Sequence, residues 1–226
     1  MTKAGPTIGT LAEGALHAQL KEWYRTDGDL VEHPVGSHVI DLVRGDLLIE
    51  IQTGGFTPLR RKLTALHGHS FRVVAPIATT TTIVRMGEGG EVLSSRRSPK
   101  RGRVEDVFGR LVAMPDLLGR FELEVVLVEQ QELRVHQPGK AFRRKGWVVQ
   151  GRSLVSVVES IAIPDADAAA RLLPPGLPEE FDTADIASIG SLSRRTSQQM
   201  AYCLRRMGRI EAVGKRGNAV TYRSLV

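Results

Sequence analysis

Alternation of apolar and polar residues is strictest in the stretch IDLVRGDLLIEIQTG, Ile40 to Gly54. Gly45-Asp46 predicts a two-residue hairpin turn there, because glycine adopts positive φ without steric conflict. With that turn Asp41 falls opposite Glu50, and Val39 opposite Gln52. A period of two then sends Asp41, Glu50 and Gln52 to one face and Ile40, Leu42, Leu47, Ile49 and Ile51 to the other. Two carboxylates side by side repel unless a cation lies between them.

Helical spacing predicts a first helix from Leu11 to about Tyr24 that buries Ala12, Leu16, Leu20 and Trp23, with Thr10 and Glu13 at capping-box spacing. Leu30 to Val35 reads as a strand leading into the hairpin. A second helix opens with Thr57 as N-cap and Pro58 at its first position, buries Leu59, Leu63 and Leu66, and carries Arg60, Arg61 and Lys62 on its first turns. His67-Gly68-His69 reads as a C-cap turn rather than a metal pair. Strands are predicted over Phe71–Ala78, Thr81–Met86, Phe121–Glu129, around Val148, and over Leu154–Ile163, with a helix over Val104–Met114. The fold class is α/β, with a mixed central sheet flanked by helices.

The pattern changes after Asp165. Ala166 to Leu173 is a short helix stopped by Pro174-Pro175-Gly176. Thr183 caps a helix through about Ile189, and Ser193 caps a longer one through Met207, with Met200, Cys203, Leu204 and Met207 on its buried stripe. Arg194, Arg195, Gln198, Gln199, Tyr202, Arg205 and Arg206 occupy the opposite face. Ile210–Val213 and Ala219–Arg223 then pair around Gly214 to Asn218. This predicts two domains, residues 1–163 and a small C-terminal domain over 164–226.

Bulk composition narrows the class. Of 226 residues, 42% are hydrophobic and 25% charged, which is ordinary for a globular chain. No stretch of eighteen apolar residues and no basic-then-apolar leader is present, so a soluble, cytoplasmic protein without membrane contact is predicted. The single cysteine, Cys203, excludes an internal disulfide and a cysteine metal cage. Charge is uneven. From Asp182 onward eight Lys/Arg face three Asp/Glu, so the tail carries most of the net +6, as expected of a segment that binds a polyanion. Arg96 to Arg103 forms a basic loop, and Lys140 to Lys145 a second basic cluster ahead of Trp147.

The C-terminal segment resembles a winged helix-turn-helix, with the Ser193-capped helix as recognition helix and Lys215-Arg216 as the wing. That resemblance implies double-stranded DNA as partner, with Arg194, Arg195, Gln198 and Gln199 approaching base edges and Lys215 and Arg216 phosphates. The preceding body resembles the PD-(D/E)xK restriction-endonuclease-like nucleases: an N-terminal helix, a hairpin bearing an Asp and then (D/E)-x-K, a helix and further strands. Asp41 matches the motif Asp and Glu50 the second acid, Gln52 stands at the Lys position, and Ile40 replaces the Pro. Glu13 matches a helix-borne Glu that some members use as a further metal ligand.

What the resemblance implies is a metal-dependent DNA endonuclease. Asp41, Glu50 and Glu13 would hold Mg2+ or Mn2+, which neutralises the scissile phosphate and acidifies the attacking water. Gln52 would supply hydrogen bonds, and Lys62, on the following helix, the missing ammonium. The competing expectation is a DNA-binding regulator or scaffold whose nuclease-like domain is inactive and serves a homodimer, with an RNA-directed body as a third.

Overall fold

A computed structural model describes residues 14–225. In chain order the elements are α1 (Ala15–Tyr24), β1 (Leu30–Val35), β2 (His38–Arg44), β3 (Leu47–Ile51), α2 (Leu59–Ala65), β4 (Ser70–Met86), β5 (Val92–Arg97), α3 (Phe108–Leu111), β6 (Glu122–His136), β7 (Trp147–Ile163), α4 (Ala166–Ala170), β8 (Glu180–Phe181), α5 (Thr183–Gly190), α6 (Arg194–Arg206), β9 (Ile210–Arg216) and β10 (Ala219–Ser224). The larger sheet runs β1-β2-β3-β4-β6-β7, with β5 paired to β4, and the smaller runs β8-β10-β9. Among the described residues no helix is long and apolar enough to cross a membrane.

Contacts divide the chain into two compact units. The first comprises Thr26–Ile77, Arg103–Val126 and Ser160–Val226. Its centre is the predicted hairpin. Arg44 pairs with Leu47 and Leu42 with Ile49, so Gly45 (φ 56) and Asp46 form the two-residue turn and Glu50 lies across from Asp41. β3 continues the sheet in parallel with β4, Leu47 beside Ser70 through Ile51 beside Val74, and α2 makes the connection. A strand with neighbours on both edges and covered faces is buried throughout. Leu48, Ile49, Glu50 and Ile51 are accordingly all buried, so the polar face expected at Glu50 is an interior one.

Several local readings need correction. α2 starts at Leu59 with no side-chain cap, so Thr57 is not its N-cap, although Leu59, Leu63 and Leu66 are buried as expected. Val104–Val107 is a 3-10 turn that runs into the four-residue α3, in place of one helix to Met114. Asp182, not Thr183, caps α5, in a reciprocal box with Asp185. The C-terminal hairpin is tighter than predicted: Arg216 pairs with Ala219, which puts Lys215 and Arg216 on β9. Residues 164–226 fall in the same compact unit as the hairpin and α3.

The unit also contains a strong ion pair. Arg44 grips both oxygens of Asp29, Nε to Oδ1 at 2.9 Å and Nη2 to Oδ2 at 2.8 Å, and the Thr26 amide donates to Oδ2. The Arg44 hydrogen bond holds the Asp29 carboxyl down at about 2. A depressed carboxyl stabilises the fold above its ordinary value near 3.8 and loses that contribution as pH falls toward 2. Asp29→Asn is therefore expected to destabilise by about 1–2 kcal/mol at pH 7, discounted because Arg44 is partly exposed, and by almost nothing near pH 2. Urea unfolding at both pH values checks it; an equal loss at both would refute the ion-pair origin.

The second unit comprises the described residues up to Arg25, Ala78–Gly102 and Leu127–Glu159. In α1, Leu16 and Leu20 are buried but Trp23 is 48% exposed, against the predicted stripe. The two strands expected over 71–86 are one, β4, and part of the basic loop is the exposed edge strand β5. Glu132 anchors Arg134 and Arg152 at 2.6 and 3.0 Å. Arg85 lies 4.7 Å over the Trp147 ring, so Trp147 is an edge-packing residue.

Candidate functional site

Asp41 and Glu50 meet because the hairpin register is fixed by its turn. The Asp41 carboxylate accepts from the Ile51 amide at 2.8 Å, which ties it to β3 beside Glu50. Glu50 is 6% exposed. α2 supplies its partner: Lys62 Nζ donates to Glu50 Oε1 at 2.6 Å and to the Val39 carbonyl at 2.9 Å. Burial pushes the Glu50 carboxyl above its ordinary value, the Lys62 hydrogen bond pulls it back, and the Asp41 charge raises it again. The site is thus two carboxylates and an ammonium, with Glu50 buried and Asp41 and Lys62 partly exposed.

Gln52 does not join them. Its Nε2 donates to the Gly55 carbonyl at 2.7 Å and closes the loop after β3. Glu13 lies outside the described residues. The β1 register places a further acid, Glu32, across from Asp41, with φ 49. Even so, among the described residues no group of three His, Cys, Asp or Glu side chains that could hold a metal ion comes together. Any cation would rest on Asp41 and Glu50 alone within that set.

A residue that sequence reasoning passed over supports the site from below. Arg110 of α3 is half-buried and donates Nη1 to the Gln52 carbonyl at 2.9 Å and Nη2 to the Pro76 carbonyl at 2.6 Å. It joins the C-terminal end of β3 to the middle of β4, and burial lowers its pKa from the ordinary guanidinium value. A lone arginine within the apolar run VFGRLVAM is the sequence signal that could have found it.

The same short segment seats α6. Asp106 accepts from Thr196 Oγ1 at 3.3 Å, and the Phe108 carbonyl faces Cys203 Sγ at 3.7 Å. Gly109 permits a close approach, since a Cβ there would lie 3.2 Å from Gln199 Oε1. Burial pushes the Cys203 thiol up to about 12, as expected of a core cysteine.

The proposed DNA-facing set divides accordingly. Arg194, Arg195 and Gln198 are exposed on α6, together with Tyr202, Arg205 and Arg206, while Gln199 is half-buried against α3 and leaves that surface. At 3.6 residues per turn those six exposed side chains fall within about 120° of arc. Lys215 is exposed. Arg216 is committed elsewhere, 3.4 Å from Asp182 and 3.0 Å from Asp185 at the α5 cap, so it is not a free wing cation. Arg103, from the basic loop, donates to the Gly190 carbonyl at 2.8 Å and braces the α5–α6 turn.

No solved structure matches this chain. A protein of Treponema pallidum (strain Nichols) with the printed name "Uncharacterized protein" is 29% identical over 224 residues, which is 96% of this chain and 87% of that protein. Residues 14–164, from α1 through β7, match a family profile. The chain belongs to the family described as "Domain of unknown function (DUF8091)".

Proposed function

We propose that this chain is a divalent-cation-dependent DNA endonuclease of PD-(D/E)xK type, directed to duplex DNA by a winged helix-like C-terminal segment. The observation that carries it is Lys62 Nζ at 2.6 Å from Glu50 Oε1, on a hairpin whose register sets Asp41 opposite Glu50. An acid, a second acid and an ammonium are the three charges that the PD-(D/E)xK motif brings together, and here the ammonium comes from the helix after the hairpin. The element order, hairpin, α2 and then a parallel β4, supports the reading. So does the order α4, β8, α5, α6 and a β9–β10 hairpin at the C-terminus.

The donor set fits a hard cation. Mg2+ keeps several waters and needs only one or two carboxylates plus substrate phosphate, which Asp41 and Glu50 can provide. A bound Mg2+ or Mn2+ supplies charge neutralisation and a more acidic water. The chain's own residues do the rest. Ile51 N–H holds Asp41 in place. Lys62 favours the ionised form of Glu50 and uses two of its three N–H donors on Glu50 and Val39, which leaves one for a phosphoryl oxygen.

Plasmid and linear duplex incubated with Mg2+ or Mn2+ test the reading. Wild type is expected to cut, and Asp41→Ala and Glu50→Gln to lose at least about 100-fold, the scale of removing one group that stabilises transition-state charge. Folded wild type that binds duplex but cuts it in neither metal would refute the enzyme and favour a DNA-binding scaffold.

A further inference from the structure

The loop between β6 and β7 carries a feature that the hydrolytic site does not explain. Phe142 is 87% exposed, the most exposed of the large apolar side chains described. Lys140, Arg143, Arg144 and Lys145 surround it, all exposed and without an acidic partner among the described residues. A solvated basic loop has no use for a bare phenyl ring at its tip.

The loop is built to hold that ring out. Gln137 N donates to the Gly146 carbonyl at 2.8 Å and closes the base, and Lys140 N donates to the Gln137 carbonyl at 3.2 Å. Phe142–Arg144 is one 3-10 turn, closed by Arg144 N to the Ala141 carbonyl at 2.7 Å. Ala141 (φ 49) and Lys145 (φ 51) bracket the turn in the left-handed region. Side-chain-bearing residues enter that region at a cost, and such strain concentrates at binding sites. The backbone thus holds one exposed aromatic side chain next to four cations in the same loop.

We propose that the Lys140–Lys145 loop binds nucleic acid at an unstacked base, with Phe142 stacked on the base and the four cations on the flanking phosphates. The chemistry is that of single-stranded DNA, or of a duplex opened at an end, junction or kink. Stacking needs a flat apolar face and tolerates any base, and phosphates need charge without acids nearby. An anionic membrane would use the same charge, but it calls for more buried apolar surface than one phenyl ring offers. The proposal stands apart from hydrolysis, since it concerns binding and lies in the other compact unit.

The test uses the full chain in EDTA, so that cleavage plays no part. Fluorescence anisotropy follows a single-stranded oligonucleotide carrying 2-aminopurine and a blunt duplex of equal length, against wild type, Phe142→Ala, Phe142→Trp and Arg143→Ala/Arg144→Ala. Phe142→Ala is expected to weaken single-strand binding by about 5- to 100-fold and to abolish quenching of the 2-aminopurine, with duplex affinity changed less than about 2-fold. Phe142→Trp should restore both. The double arginine variant should lower the slope of log affinity against log salt by about 1.4 on single strands. Unchanged single-strand affinity and quenching in Phe142→Ala would overturn the proposal. So would Phe142-dependent partition into phosphatidylserine vesicles with no effect on the oligonucleotide.

Discussion

Lys62→Met is expected to destabilise the first unit by about 2–4 kcal/mol near pH 8 and by markedly less near pH 5. The change strands Glu50, whose side chain is 8% exposed, and removing one partner of a buried pair is more damaging than never having built it. The lower end of the range reflects Lys62, which keeps 19% of its side chain in solvent. The sign follows from proton binding. The folded protein holds the Glu50 proton more tightly than the unfolded chain, so stability is lost as pH rises from the ordinary 4.5 through the raised value. Without Lys62 that raised value climbs further and the loss at high pH deepens. Glu50→Gln/Lys62→Met should regain part of the stability and flatten the pH profile, with a coupling of about 1–3 kcal/mol. Guanidinium unfolding of the four proteins at both pH values decides it. A loss that is independent of pH, or two substitutions that simply add, would mean that the pair does not govern the pocket.

Arg110→Met is expected to cost about 2–4 kcal/mol and to loosen α6 from α3. Two carbonyls, at Gln52 and Pro76, would lose their donor inside the fold, at about 1–3 kcal/mol each, and relief of the desolvated charge returns some of that. Because Phe108 and Gly109 on the same element meet Cys203 and Gln199, the disturbance should reach α6. Thiol labelling of Cys203, buried in the wild type, should then quicken at denaturant concentrations that leave the sheet folded. Unchanged labelling beside a measured loss of stability would show that α6 is held by other contacts.

The sequence made the hairpin legible to the residue. One glycine fixes the turn, and aliphatic alternation fixes which residues face which. The long C-terminal helix α6 was legible in the same way: Ser193 caps it and Met200, Cys203 and Leu204 fill its buried side, both as local spacing predicts. What local pattern could not supply was coverage. Glu50 reads as an acid on the polar face of the hairpin, and only the parallel neighbour β4 with α2 beside it makes the position interior. Arg110 lies 58 residues from Gln52 and 34 from Pro76, a separation no periodicity spans. Gln199 and Arg216 looked free for the same reason: the elements that occupy them, α3 and the α5 cap, are distant in the chain. Lys62 differs, in that the resemblance pointed to it before any geometry did.

The arginine arc of α6 has a consequence for the ligand-free protein. Arg194 and Arg195 occupy the first helical turn, at the positive end of the helix dipole, and the helix has no acidic residue of its own in that turn. Arg205 and Arg206 add like charge on the same arc. The first turn therefore opposes helix formation, while the buried side, with Arg205 and Arg206 at the negative end of the dipole, holds the helix in place. A polyanion laid along the arc would remove both repulsions at once. In landscape terms the first turn of α6 is a locally frustrated element whose frustration a bound polyanion would resolve.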